Sequence, residues 1–154
     1  MPRFETTRPV RHSPETMFNL VADIERYPDF VPMCESLVIR RRSVDDTGCT
    51  TLTADMAIGY KMIREVFTTR VVLQPSSAES PARILVSYID GPFRHLENRW
   101  TFMPAEDGCR VQFFIDYEFK SRTFQLLAGA VFEKVFRKMA EAFEARADAL
   151  ARMR

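Results

Sequence analysis

The sequence predicts an α+β fold: a curved antiparallel sheet of about seven strands around one long C-terminal helix, with two shorter helices after the first strand. Three observations carry that prediction. Cys109, Val111, Phe113, Ile115, Tyr117 and Phe119 alternate with Arg110, Gln112, Asp116 and Glu118, the period of a strand with one wet face. From Arg122 to Arg154 the period lengthens. At about 100° per residue, Phe124, Ala128, Val131, Phe132, Val135, Met139, Ala142, Phe143 and Leu150 form one arc, with Glu133, Arg137, Glu141, Glu144 and Asp148 opposite. Between these helical regions, strand patterns follow one another across short turns, which antiparallel neighbours permit and parallel ones do not.

At 154 residues the chain is expected to form one domain spanning 1–154, large enough for a substantial core. Thirteen Phe against five Gly make that core aromatic. A formal charge of +1 gives no overall field that would favour DNA, and no DNA partner is expected. Cys34, Cys49 and Cys109 are odd in number and widely spaced, with no metal-ligand pattern, and read as reduced thiols of an intracellular protein. The opening MPRFETTRPV has no signal-peptide core, and no stretch approaches the roughly 20 apolar residues of a membrane span.

In order, Phe4 to Val10 is the first strand. Ser13-Pro14-Glu15 starts a helix: Ser13 caps free amides, Pro14 suits the first helical position and Glu15 the positive end of the dipole. Met17, Phe18, Leu20, Val21 and Ile24 give it an apolar face, and it should end between Asp23 and Arg26. Tyr27 to Cys34 holds Pro28 and Pro32, which forbid a long helix and leave a short helical turn or bend. Ser36 to Arg42 and Thr50 to Ile58 are strands joined at Asp45-Asp46-Thr47-Gly48, the second with Leu52, Ala54, Met56 and Ile58 on one face. Met62 to Leu73 follows after a turn at Gly59-Tyr60. Its parity turns Arg64 and Arg70 outward, and Glu65 inward with Ile63, Phe67, Thr69 and Val71. Ile84, Val86 and Tyr88 mark the next strand, Asp90-Gly91-Pro92-Phe93 interrupts, and Leu96, Asn98, Trp100 and Phe102 face inward on the following one. A sheet of this size is not filled by one helix, so a cavity between sheet and helix is expected.

Three stretches, MFNLVADIERYPDFVPMCESLVI, DGPFRHLENRW and YEFKSRTFQLLAG, resemble the helix-grip, START-like superfamily of polyketide cyclases and lipid-transport proteins. Within it they are similar to the coenzyme Q-binding START proteins and to their bacterial relatives, the ribosome-association toxins. The resemblance implies a START-like lipid-binding domain that holds ubiquinone, or a similar polyprenyl lipid, as bound ligand in an apolar tunnel. It would support respiratory electron transport without a catalytic cofactor. It also implies a cytoplasmic location with peripheral contact at the inner face of a respiratory membrane. The alternative implied partner is the ribosome, for a toxin-like protein that blocks subunit association.

Strand parity and helix face nominate Phe67, Val86, Tyr88, Trp100, Phe113 and Ile115 on the sheet, and Phe132, Phe136, Met139 and Phe143 on the helix, as the ligand-binding wall. Tyr27, Phe30 and Val31 are nominated as the entrance, and Tyr60 and Lys61 sit at a turn open to the same role or to simple exposure. Plain core packing accounts for each equally well. No catalytic constellation stands out. His12 and His95 have neither metal spacing nor an adjacent nucleophile, and the inward polar residues Glu65, Asn98, Tyr88 and Tyr117 leave a cyclase or dehydratase as a minor alternative. Arg40-Arg41-Arg42 and the group Lys134, Arg137, Lys138 and Arg146 suit RNA or anionic lipid, although acids interleave the second group.

Overall fold

The computed structural model describes residues 3–60 and 63–153, without the side chains of residues 60, 63, 123, 124 and 126–131. The proposed roles of Tyr60 and Lys61, and of Phe124, Ala128 and Val131 in the helical arc, lie outside the described residues.

One seven-stranded antiparallel sheet has the order β1-β7-β6-β5-β4-β3-β2. The strands are β1 (Arg3–Val10), β2 (Cys34–Val44), β3 (Thr50–Tyr60), β4 (Ile63–Gln74), β5 (Ala82–Asp90), β6 (Phe93–Ala105) and β7 (Gly108–Phe119). Strands β2 to β7 form a continuous meander, and β1 returns beside β7. Helix α1 (Pro14–Ala22) begins as its sequence dictates, with the Ser13 hydroxyl accepting the Thr16 N–H at 3.0 Å. The bend expected from Tyr27 is a 3-10 helix that starts earlier, at Ile24–Asp29. Helix α2 covers Arg122–Arg152.

The alternation in β7 is realised in full: Cys109, Val111, Phe113, Ile115, Tyr117 and Phe119 are all buried. On the opposite face Phe114 lies between the guanidinium groups of Arg3 and Arg99, 5.1 and 4.2 Å from its ring centre. On α2, Phe132, Phe143 and Ala147 are buried while Glu133, Arg137 and Glu141 are exposed. Glu144 and Asp148, expected to face water, instead meet the first strand and its continuation. Arg8 Nε donates to Glu144 Oε1 at 2.6 Å, and His12 Nε2 lies 2.6 Å from Asp148 Oδ1. The helix reaches the β1 edge of the sheet, so a flank of its polar face finds basic partners there.

Gly108 permits the β6–β7 turn. Its φ is +148°, and a side chain there would meet the Val10 carbonyl.

On the outer face, Asp55 of β3 ties three strands. Its carboxylate accepts the Thr68 hydroxyl of β4 at 2.7 Å and pairs with Arg40 of β2. The Thr68 hydrogen bond, then Arg40, hold its pKa below the usual carboxylate value. With the folded value depressed, the unfolded chain takes up the proton first, so this contribution is complete above the ordinary carboxylate pKa and is lost as pH falls through the lowered one. Asp55→Asn is therefore expected to lower the urea midpoint at neutral pH, with a deficit that shrinks as pH falls below the ordinary carboxylate pKa and through the lowered one. A deficit that persists unchanged in acid would show that the charge is not what Asp55 contributes.

Candidate functional site

Between the concave face of the sheet and α2 lies a cavity of about 150 Å³. Its wall comes from four parts of the chain. The 3-10 helix, the segment after it and the start of β2 supply Ile24, Tyr27, Val31, Pro32, Met33, Cys34 and Leu37. Strand β3 supplies Ala54, Met56 and Ile58, and β4 to β7 supply Phe67, Thr69, Val71, Ile84, Val86, Phe93, Leu96, Asn98, Trp100 and Ile115. Helix α2 closes the space with Phe132, Val135, Phe136 and Met139. These residues converge because β3 to β7 carry them at inward parity and because Met33, with φ of 69°, turns the chain into β2. The Met33 carbonyl accepts the Gly59 N–H at 2.9 Å, which fixes that turn against β3.

The few polar groups on the wall are nearly all committed. Buried Tyr27 donates its hydroxyl to the Val21 carbonyl, and burial, with Cys34 and Asp23 nearby, drives its pKa upward, so it stays neutral. Asn98 Nδ2 donates to the Phe114 carbonyl at 2.8 Å, and its Oδ1 accepts the Trp100 indole N–H at 3.1 Å. That pair locks the indole into the wall.

Burial pushes the Cys34 thiol up to about 11, and Cys109 likewise. Both are buried, whereas Cys49 is partly exposed. A maleimide at neutral pH is therefore expected to label Cys49 promptly and the other two only as the chain opens. Intact-mass counting of adducts over time checks this, and three equal rates would contradict the burial.

Of the residues nominated from sequence, Phe67, Val86, Trp100, Ile115, Phe132, Phe136 and Met139 lie on this wall, as do Tyr27 and Val31. Four do not. Tyr88 has inward parity, but its oxygen accepts the Phe93 N–H at 3.1 Å and its ring packs edge-on against Phe93, which lines the cavity where Tyr88 does not. Phe113 and Phe143 face a separate void of about 10 Å³ beyond Trp100. Phe30 packs edge-on against Tyr27 and Phe143, beneath Arg146. Ala54, Met56 and Ile58, which share one face of β3 by parity, complete the wall beyond the nominated residues. The sequence places Phe93 in a loop, yet β6 starts there, and one extra residue, Arg94, shifts the register so that Phe93 and Leu96 both point inward.

The other polar nominees lie elsewhere. Glu65 is half-buried at the start of β4 and off the wall. Tyr117 is packed among Phe93, Phe119, Phe132 and Phe136. His95 sits 3.1 Å from Asp116 and 3.8 Å from Glu118. Among the described residues no three His, Cys, Asp or Glu side chains cluster as a metal site would need, and no helix is long and apolar enough to cross a membrane.

An apolar cavity under a C-terminal helix, enclosed by a seven-stranded antiparallel sheet, defines a helix-grip protein of the START-like type. Residues 10–144 match the family described as polyketide cyclase / dehydrase and lipid transport, and the chain belongs to that family, which spans both lipid-transport proteins and enzymes. The chain is 34% identical over 148 residues to the ribosome association toxin RatA of Escherichia coli K12, covering 96% of this chain and 87% of that one. It is 29% identical over 139 residues to the mitochondrial coenzyme Q-binding protein COQ10 of Drosophila melanogaster, covering 87% of this chain and 53% of that protein. Among solved structures, the 18 kDa protein CC1736 of Caulobacter crescentus is 34% identical with a TM-score of 0.79, over 98% of this chain and 99% of that one. A START superfamily protein of Mycobacterium smegmatis, at 22% identity and TM-score 0.79 over 97% and 99%, shares the fold.

Proposed function

We propose that the chain is a non-catalytic, single-domain binder of an apolar lipid of the polyprenyl quinone class, with α2 and the segment Tyr27 to Cys34 flanking the entrance. The observation that carries this reading is the cavity wall, in which aliphatic and aromatic side chains leave only a few polar groups, most of them already hydrogen-bonded. Such a wall rewards apolar surface at about 0.8 kcal/mol per buried methylene and gives charged substrates nothing. The likeness to COQ10 supports the same ligand class.

The cavity's size constrains how the ligand sits. At about 150 Å³ it is smaller than the roughly 300–1,000 Å³ of pockets for drug-sized ligands, and an apolar cavity of that order takes about one benzene-sized ring. A ring or a short apolar segment therefore fits as the chain stands, and a polyprenyl tail requires α2 to move away from the sheet. Extraction of purified protein into organic solvent, followed by mass spectrometry, tests the proposal. Near-stoichiometric quinone is expected. An empty extract from protein that also fails to load added quinone would refute it.

The likeness to RatA favours a second reading, in which the protein engages the ribosome. Cosedimentation with ribosomes that weakens steeply as salt rises would support it, since RNA contacts release counterions and burial of an apolar tail does not. Peripheral membrane contact belongs to the carrier reading, and flotation with liposomes tests it.

A further inference from the structure

Leaving tyrosines, cysteines and Trp100 aside, Thr69 is the one buried polar side chain among the described residues, 6% exposed at the centre of β4. It lies on the cavity wall between Phe67 and Val71, beside Ala54 of β3 and Tyr88 of β5. The neighbouring polar wall groups are engaged: Tyr27 with the Val21 carbonyl, Asn98 with the Phe114 carbonyl and the Trp100 indole. Among the described residues no side-chain hydrogen bond engages the Thr69 hydroxyl. Nor is any described side-chain oxygen or nitrogen sealed from the surface without a partner. The hydroxyl therefore opens onto the cavity.

A hydroxyl that meets only an apolar cavity forgoes the hydrogen bonds it makes in bulk water, a cost to the folded chain that valine, of the same shape, would remove. Groups that burden the fold in this way are characteristic of sites where a ligand completes the bonding. The small side chain of Ala54 next to it leaves room for a flat group to approach.

We infer that Thr69 is the polar anchor of the cavity, donating its O–H to a carbonyl oxygen on the head group of the bound lipid. This deepens the lipid-binding proposal and rests on it. It narrows the ligand class from any apolar chain to one whose ring or head carries an oxygen acceptor, with orientation fixed by one hydrogen bond and affinity by apolar contact.

Trp100, the sole tryptophan, stands on the wall and reports occupancy through its fluorescence. The test titrates the delipidated full chain with a short-tailed ubiquinone and with an isoprenoid hydrocarbon of similar length and no oxygen. Thr69→Val is expected to weaken quinone binding about tenfold while leaving the hydrocarbon within about twofold, and Thr69→Ser is expected to bind quinone nearly as wild type does. The ligand-free Thr69→Val protein is expected to melt about 2–4 °C higher than wild type. Unchanged quinone affinity in Thr69→Val, with wild type binding well, would overturn the anchor and leave the carrier reading standing. A lower melting temperature would also overturn it, by showing a structural partner for the hydroxyl. Wild type that binds neither probe would overturn both.

Discussion

Met139→Arg is expected to abolish lipid loading while leaving the chain folded. Met139 is half-buried on α2 and closes the cavity beside Val135 and Phe136. An arginine there cannot bury its charge in an apolar cavity without a partner, so its stem lies across the opening and its guanidinium reaches water. The space for a ring or tail is then filled and the local field is wrong for hydrocarbon. Quinone recovered on extraction should fall at least about tenfold, with circular dichroism and melting little changed. Glu141→Arg, on the exposed face of the same helix, should load as wild type does. Full loading of the Met139→Arg protein would remove this cavity as the ligand site.

The second large effect is on stability. Phe143 is 1% exposed and its ring centre lies 5.2 Å from Tyr27, 5.1 Å from Phe30 and 5.1 Å from Trp100. It joins α2 to the 3-10 helix and to the sheet at one point. Phe143→Ala removes a buried ring from all three neighbours and is expected to cost about 3–5 kcal/mol. For a domain of this size that lowers the melting temperature by roughly 6–20 °C. A loss below about 1 kcal/mol in thermal or urea unfolding would mean that the neighbouring rings close over the gap.

These two residues also mark where sequence reading stopped. Met139 and Phe143 are one helical turn apart, both apolar and on one arc, and the pattern assigned both to a ligand wall. Periodicity reports that a side chain faces inward. It does not report what stands opposite. At Met139 that is empty space, and at Phe143 it is three other rings. The same limit applied to Tyr88, whose inward parity was legible. At β5 the register slips, with Ile89 as the extra residue, and the phenol oxygen takes the Phe93 N–H instead of facing the cavity wall. Bulges arise from tertiary pairing rather than from local composition.

By contrast, the fold was legible almost throughout. The β7 alternation, the Ser13-Pro14 helix start and the α2 arc each follow from local chemistry that the global fold does not override. The turn at Met33 was not legible, because a left-handed methionine carries no signal of the kind that glycine gives.

The open sheet has a further consequence, at its β2 edge. A terminal strand exposes unpaired amides and carbonyls that a second protein molecule could extend into a larger ribbon. Strand β2 carries Arg40, Arg41 and Arg42 in succession on that edge, all exposed, with register breaks near Glu35 and Arg40 that bend it out of line. A copy docking edge to edge would bring like charges into contact along a strand that is not straight. The arginine run that in sequence suggests RNA or anionic lipid thus also disfavours edge-to-edge pairing of one copy with another.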